Sequence, residues 1–478
     1  MSVLEHLEPK KVLEYFGEIC KIPHGSGNTK KISDYLVKFA QDRKLEYYQD
    51  SANNVIIIKC ATEGYESAEP VILQGHMDMV CEKAPDCIKN METDGIDLEV
   101  DGSIISANGT TLGADNGVAC AMMMTILDSD NIPHPRVEAV FTVDEEIGML
   151  GAAVLDVSPL KGKTMLNIDS EDEGIFTVSC AGGNLTKCTL PVKRESFDGD
   201  FYEIKVSGLV GGHSGIEIDK GRANSNMLIG EVLSKISSNT DMRIVGINGG
   251  LKDNAIPVET TAVVAVSKSY NPANVCEKIN AIFKDEYASK DEGIIVSVLP
   301  CESSITMDKQ STDNILYMFL KLPNGVMKMS EDIEGLVQTS LNLGICKTDN
   351  DSFNMAFCVR SSVEKEKNDL VNEIRDTMKK LGGTVLVEGD YPGWEYKKNS
   401  PLRNLMCDVF NEQYGYMPKV EAIHAGVECG MFAGKIPDLD CVSYGPNLKE
   451  IHTFREHMDV ASVERVWEMT LEILKRMK

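Results

Sequence analysis

Apolar residues fall into blocks of helical spacing and blocks of strand spacing along this chain. In "PKKVLEYFGEIC" (9–20), Val12, Leu13, Phe16, Ile19 and Cys20 form one stripe, which predicts a helix with Pro9 suited to its first turn. "HGSGN" interrupts the pattern, and a second helix is predicted from Ile32, Tyr35, Leu36 and Phe39. "NNVIIIK" and "PVILQG" then read as strands. Residues 116–127 are small and apolar enough for a buried helix, and "VEAVFTV" (137–143) and "TMLNI" (164–168) read as further strands. Strands alternating with helices predict an α/β layer with parallel pairs.

The texture changes after about residue 185. "FYEIKVSG" and "TTAVVAVSKS" read as strands with helical patterns between them, an α+β arrangement. A similar order recurs in "SLNLGICKTDNDSFNMAFCVRSS" near 340–360, a hint of internal duplication. "YPGWEY" punctuates the chain near 391, after which the α/β style resumes: a helix over 401–413, a strand in "DCVSYG", and a last helix from about 460. Val463, Val466, Trp467, Leu471 and Leu474 give that helix one apolar face. The expected organisation is a catalytic α/β domain with a central mixed, mostly parallel sheet, made from residues 1–185 and 391–478. An inserted α+β domain, 186–390, interrupts it.

The bulk numbers narrow the function. With 478 residues, more than one domain is expected. Apolar content of 42% and charged content of 26% are those of an ordinary globular protein. A net charge of -26 repels phosphate backbones, which argues against nucleic acid as a partner. The start, "MSVLEHLEPKKVLEYF", lacks the basic and apolar regions of a secretory signal. No apolar run approaches the roughly 20 residues needed to cross a bilayer. Fourteen scattered cysteines without a repeated CxxC fit a reduced, cytoplasmic protein.

Acidic and histidine residues gather where strands end. His76 and Asp78 follow the apolar run in "VILQGHMDMV", two residues apart and so on one face. Asp115 opens the predicted helix in "GTTLGADNGV"; Glu145 and Glu146 follow "VFTVD"; Asp169 follows "LNI"; His452 lies in "GPNLKEIH". Ligands of open α/β sheets bind beyond the carboxyl ends of strands, so these groups can converge. Taken singly, each has an ordinary structural reading. Asp115 could cap its helix, "DEE" could be a solvated loop, Asp169 a surface turn and His452 a surface loop residue. Taken together, two imidazoles and several carboxylates suit Zn²⁺, with Mn²⁺ or Co²⁺ also acceptable. Packed carboxylates repel unless cations separate them, and two divalent ions bridged by one carboxylate satisfy that need. Such a pair polarises a carbonyl and makes hydroxide near neutral pH, so amide hydrolysis is the expected reaction class.

These residues lie within an ordered series: "KIPHGSG", "ILQGHMDMV", "GTTLGADNGV", "TVDEEIGMLGA", "NIDSEDEG", "CAGG", "GLVGGHSGIEI", "NGGLKDNAIP", "PNGV", "YPGW" and "HAGVECG". On this series the chain resembles, over essentially its full length, the dinuclear-zinc aminoacylase/carboxypeptidase-type metallopeptidases, in particular their bacterial aminoacyl-histidine dipeptidases. The resemblance implies that His76 and Asp169 hold one zinc, Glu146 and His452 the other, and that Asp115 bridges them. It implies that Asp78 orients His76 and that Glu145 is the general base. The inserted domain would be a lid. There His213, in "GGHSG", would steady the oxyanion, and Asn254 and Arg360 would hold the substrate's terminal carboxylate.

One flank departs from the family's usual Ser-Pro-Asp-Glu after the last ligand: here Thr453, Phe454, Arg455 and Glu456 follow His452. His424 and Glu428 receive no role, and Glu171, Asp172 and Glu173 read as solvated charge. The expected function is hydrolysis of unblocked dipeptides, including Xaa-His and β-alanyl-histidine. The expected partner is a small peptide substrate, and the resemblance leaves a homodimer open. The alternative is a related amidohydrolase acting on N-acyl amino acids or longer peptides. A binding protein on the same fold would leave the clustered carboxylates costly and unexplained.

Overall fold

The computed structural model describes residues 3–478. The strand Val71–His76 is buried at all six positions, as its continuous apolar start requires of a strand covered on both faces. It lies parallel to Val137–Thr142 on one side and to Thr164–Asn167 on the other, and Asp440–Ser443 extends the parallel set. The sheet runs Glu46–Gln49, Val55–Lys59, Val137–Thr142, Val71–His76, Thr164–Asn167, Asp440–Ser443, Ile175–Cys180, Lys419–Ile423. Its first two strands and Ile175–Cys180 are antiparallel to their inner neighbours. The centre is thus parallel and the flanks are not, the mixed α/β sheet expected from the sequence.

The predicted helices are close to their expected places, at Lys10–Ile19, Lys30–Asp42, Ala114–Asp128, Pro401–Tyr414 and Val460–Arg476. Pro9 sits just before its helix rather than within the first turn. Ala114–Asp128 is buried almost throughout, which explains its lack of a polar face. Gly75 lets it approach: a Cβ there would fall 2.3 Å from Asn116 Oδ1. The close approach sets the start of that helix, with Asp115, against the end of the strand that carries His76.

By contacts the chain forms two units. One comprises the residues up to Ser179, Tyr396–Ala422 and Val427–Lys478; the other comprises Cys180–Glu395 and Ile423–Gly426. The second unit holds an antiparallel sheet ordered Ile295–Pro300, Gly199–Ser207, Thr260–Ser267, Met242–Gly249, Val337–Thr348, Ser352–Ser361, Gly182–Pro191, Thr384–Tyr391. Helices Ser225–Ser237, Ala273–Glu286, Lys309–Lys321 and Glu364–Leu381 share one continuous apolar core with that sheet. Among the described residues no helix is long and apolar enough to cross a membrane.

Glu173 corrects the reading of its acidic run as solvated. Its carboxylate accepts from Arg465 Nε at 2.7 Å and Nη2 at 2.6 Å, and from the Tyr414 hydroxyl. The residue therefore ties the last helix and Pro401–Tyr414 to the loop that follows Asp169. Nothing in the acidic composition of that run distinguishes this glutamate from its neighbours.

Candidate metal centre

Four loops leave the carboxyl ends of the parallel strands and meet at the start of Ala114–Asp128. His76 ends its strand; Glu145 and Glu146 follow Val137–Thr142; Asp169 follows Thr164–Asn167; His452 follows Asp440–Ser443. His76 Nε2 lies 3.1 Å from Asp115 Oδ1 and 3.3 Å from Asp169 Oδ1. His452 Nε2 lies 3.3 Å from Asp115 Oδ2 and 2.9 Å from Glu146 Oε2. Asp115 thus offers one oxygen to each imidazole. All five residues expected from the sequence as ligands come together here, although they span the chain from 76 to 452.

The electrostatics call for positive charge. Burial raises the Asp169 carboxyl, with the Asp115 and Asp78 charges adding to the rise. Burial raises Glu145 and Glu146 as well, again helped by neighbouring carboxylates. His452 is pushed up to about 10 by its bonds to Asp115 and Glu146. His76 is drawn well above the usual imidazole range by Asp169, Asp115 and Asp78, in spite of burial. Without a cation, protons on the two rings are the only counter-charges to four or five packed carboxylates.

The donor set fits divalent ions. Two donors bound at about 2.1 Å to a tetrahedral ion stand about 3.4 Å apart, close to the observed imidazole–carboxylate separations. Ligand atoms of His76, Asp115 and Glu146 all lie within 4.8 Å of one another. Glu146 Oε1 is buried with no hydrogen-bond partner. A buried carboxylate oxygen with no donor is costly, and a cation held by these residues would satisfy it.

Neighbouring residues hold the donors in place. His76 Nδ1 lies 3.0 Å from the Asp78 carbonyl oxygen and 3.5 Å from its Oδ1, so the carbonyl is the nearer orienting group. The Asp78 carboxylate does more than steady the ring. It accepts from Glu145 N–H at 3.1 Å, Glu146 N–H at 3.4 Å and the Ser26 hydroxyl at 2.8 Å. Ser26 comes from the "KIPHGSG" motif, to which composition alone gave no task. Glu456, in the departing flank, accepts from the backbone N–H groups of Leu112, Gly113, Ala114 and Asp115 at 2.8, 3.0, 2.9 and 3.2 Å. It fixes the loop that presents Asp115. Nearby, Glu428 is fully buried, accepting from Thr142 Oγ1 at 2.7 Å and Gln74 Nε2 at 2.5 Å. Burial raises its carboxyl to about 8. Gln74 and Thr142 escaped the sequence reading because a buried polar side chain carries no local signature, and Ser26 because its partner lies 52 residues away; Glu428 and Glu456 were named there without a role.

The other expected site residues lie in the second unit. His213 Nδ1 accepts from Gly215 N–H at 3.1 Å and Ile216 N–H at 3.3 Å, which leaves the ring proton on Nε2 in the neutral form. Burial, then the Arg360 charge, lowers its pKa. Asn254 is exposed, and its carbonyl accepts from Ser214 N–H at 2.9 Å, beside His213. Arg360 is buried, and its Nε has no partner.

Known proteins place this chain consistently. The family model described as Peptidase family M20/M25/M40 matches residues 72–476. The cytosol non-specific dipeptidase of Escherichia coli is 34% identical, over 99% of this chain and 99% of its own. The crystal structure of aminoacylhistidine dipeptidase from Vibrio alginolyticus superposes with a TM-score of 0.95 at 33% identity, covering 99% of this chain and 98% of that one. An aminopeptidase from Bacillus cereus shares the fold alone, at 17% identity and a TM-score of 0.57, with 98% and 99% covered.

Two outcomes follow from the buried carboxylates. Glu456→Gln retains one accepting oxygen and turns a donor toward the remaining N–H groups; stability should fall by about 2–3 kcal/mol in urea unfolding. Metal affinity in a chelator-competition titration should fall at least about tenfold. Glu428 titrates above its ordinary 4.5 in the fold. Its contribution to stability is therefore complete below that value and is lost as the pH rises through about 8. In chelated protein, Glu428→Gln should melt level with the parent near about pH 4 and above it near about pH 9.

Proposed function

The chain belongs to the M20/M25/M40 peptidase family, and from that premise we propose that it hydrolyses unblocked dipeptides with two divalent metal ions. The observation that carries this reading is the Asp115 carboxylate, split between two imidazole–carboxylate sets. His76 and Asp169 would hold one ion, His452 and Glu146 the other, with Asp115 between them. Zn²⁺ suits this nitrogen and oxygen set, and Mn²⁺ or Co²⁺ could replace it. When bound, such ions polarise a carbonyl and acidify water.

The protein's own groups supply the rest. Glu145 adjoins a ligand, yet its carboxylate forms no ion pair among the described residues, so it is free to carry a proton. It would take the proton that a water loses on adding to the scissile carbonyl carbon, then deliver it to the amine nitrogen as the C–N bond breaks. Asp78 holds the Glu145 and Glu146 backbone and so keeps the base and the ligand apart in their roles. His213 presents an Nε2–H, the donor that steadies a developing oxyanion. Arg360, with Asn254, would grip the substrate's terminal carboxylate. The family resemblance gives the second unit the part of a lid.

Support for the substrate class comes from the relatives: one is named a non-specific dipeptidase, the other an aminoacylhistidine dipeptidase. Xaa-His dipeptides and β-alanyl-histidine are therefore the first substrates to try. The word cytosol in the first name supports a cytoplasmic setting.

Protein loaded with Zn²⁺ or Mn²⁺ should release amine from a dipeptide panel and leave acetyl-amino acids intact. Absence of amine release with every metal would sink the proposal. Glu145→Ala should keep its metal content by elemental analysis and lose about 10²–10⁴-fold in kcat.

A further inference from the structure

Two sequence motifs, "CAGG" (180–183) and "YPGW" (391–394), have no part in the reaction above, yet the second unit binds them together. Cys180 and Trp394 exchange backbone hydrogen bonds of 3.1 and 3.0 Å. A Cβ on Gly182 would fall 2.3 Å from Gly393 N, so the two backbones meet only because both positions lack side chains. Next to this contact, four adjacent strands align one row of residues. Ser340 pairs with Arg360, Arg360 with Gly183, and Gly183 with Tyr391. Paired residues send their side chains to the same face of a sheet. Gly183 sends none, and the Tyr391 phenol uses the gap: a Cβ on Gly183 would lie 2.9 Å from Tyr391 Oη. Across that gap Arg360 Nη1 donates to the phenol oxygen at 3.2 Å. Lys367 fixes the strand end, donating to the Tyr391 carbonyl at 2.7 Å and pairing with Asp390 at 3.0 Å.

The row holds one unmet donor. Arg360 is buried, makes no ion pair among the described residues, and has no partner on Nε. A buried guanidinium without a counter-charge is costly, and an anionic ligand would supply one. At the far end, Ser340 Oγ lies 2.7 Å from His424 Nε2. Burial and the Arg360 charge hold His424 down to about 3, so the ring is neutral and adds no second positive charge beside Arg360.

We infer that Tyr391 is a positioning residue for recognition of the substrate's terminal carboxylate: through the gap at Gly183 it engages Nη1 and sets the plane of Arg360. The edge left free, Nε with Nη2, is the fork that grips a carboxylate by two parallel hydrogen bonds. This inference rests on the assignment of Arg360 to that carboxylate in the proposed function.

The test compares a cleavable dipeptide with its C-terminal amide in the metal-loaded enzyme, for the parent, Tyr391→Phe and Arg360→Ala. Tyr391→Phe should raise KM for the free acid about tenfold, the worth of one hydrogen bond to a charged group, with kcat within about threefold. It should leave kcat/KM for the amide unchanged. Arg360→Ala should show a larger loss, also confined to the acid. If Arg360→Ala discriminates acid from amide and Tyr391→Phe does not, the role of Tyr391 is overturned and the Arg360 assignment stands. If Arg360→Ala does not discriminate, both fall. Gly183→Ala displaces the phenol from the neighbouring strand and should reproduce the acid-specific rise in KM; it decides the question should Tyr391→Phe not fold.

Discussion

The Asp115 carboxylate faces two imidazoles at once, with its oxygens 3.1 Å from His76 and 3.3 Å from His452. No isolated side chain could hold that position cheaply. A buried carboxylate between two further carboxylates is stable only while positive charge flanks it. Most polar bonding around the site can be traced to this constraint. Glu456 spends its whole accepting capacity on the loop that delivers Asp115. Gly75 gives up a side chain so that the helix behind Asp115 can reach its place. Asp78 secures both the first imidazole and the paired glutamates.

Surrounding polarity is arranged so that few groups are left unmet. Gln74 bridges Glu428 and Thr142, and Asn167 donates to Gln74 at 2.5 Å, so three neighbouring parallel strands share one hydrogen-bonded network beneath the centre. Such networks are rigid when satisfied. Glu146 Oε1 and Glu428 Oε1, with Asn116 Oδ1 and His134 Nε2, are the buried atoms of this unit left without partners, and the two carboxylate oxygens lie at the centre. In the other unit Ser214 Oγ and Arg360 Nε are without partners, and Arg360 lies in the strand row described above.

Much of this was legible in the chain itself. Apolar periodicity placed the long helices and the central strands, because burial on both faces leaves a continuous apolar run and burial on one side leaves a stripe. The five centre residues were legible because each follows such a run, where a parallel sheet gathers its loops. The supporting residues were not. Ser26, Gln74, Thr142 and Glu428 are defined by what they meet in space, and Glu173 differs from its exposed neighbour Asp172, paired with Lys449, in meeting Arg465 and Tyr414. The flank after His452 looked like a departure of uncertain consequence; Glu456 proves to be its most connected residue. The row of Ser340, Arg360, Gly183 and Tyr391 spans four strands, and no local window of sequence contains it.

The reach of Glu456 also has a temporal side. Its bonds to residues 112–115 join segments more than 340 positions apart, and His452 is nearly as remote from Asp115. During synthesis the early loops emerge long before either partner exists. The centre can therefore take its final form only once the segment 452–456 has been made and has docked on residues 112–115.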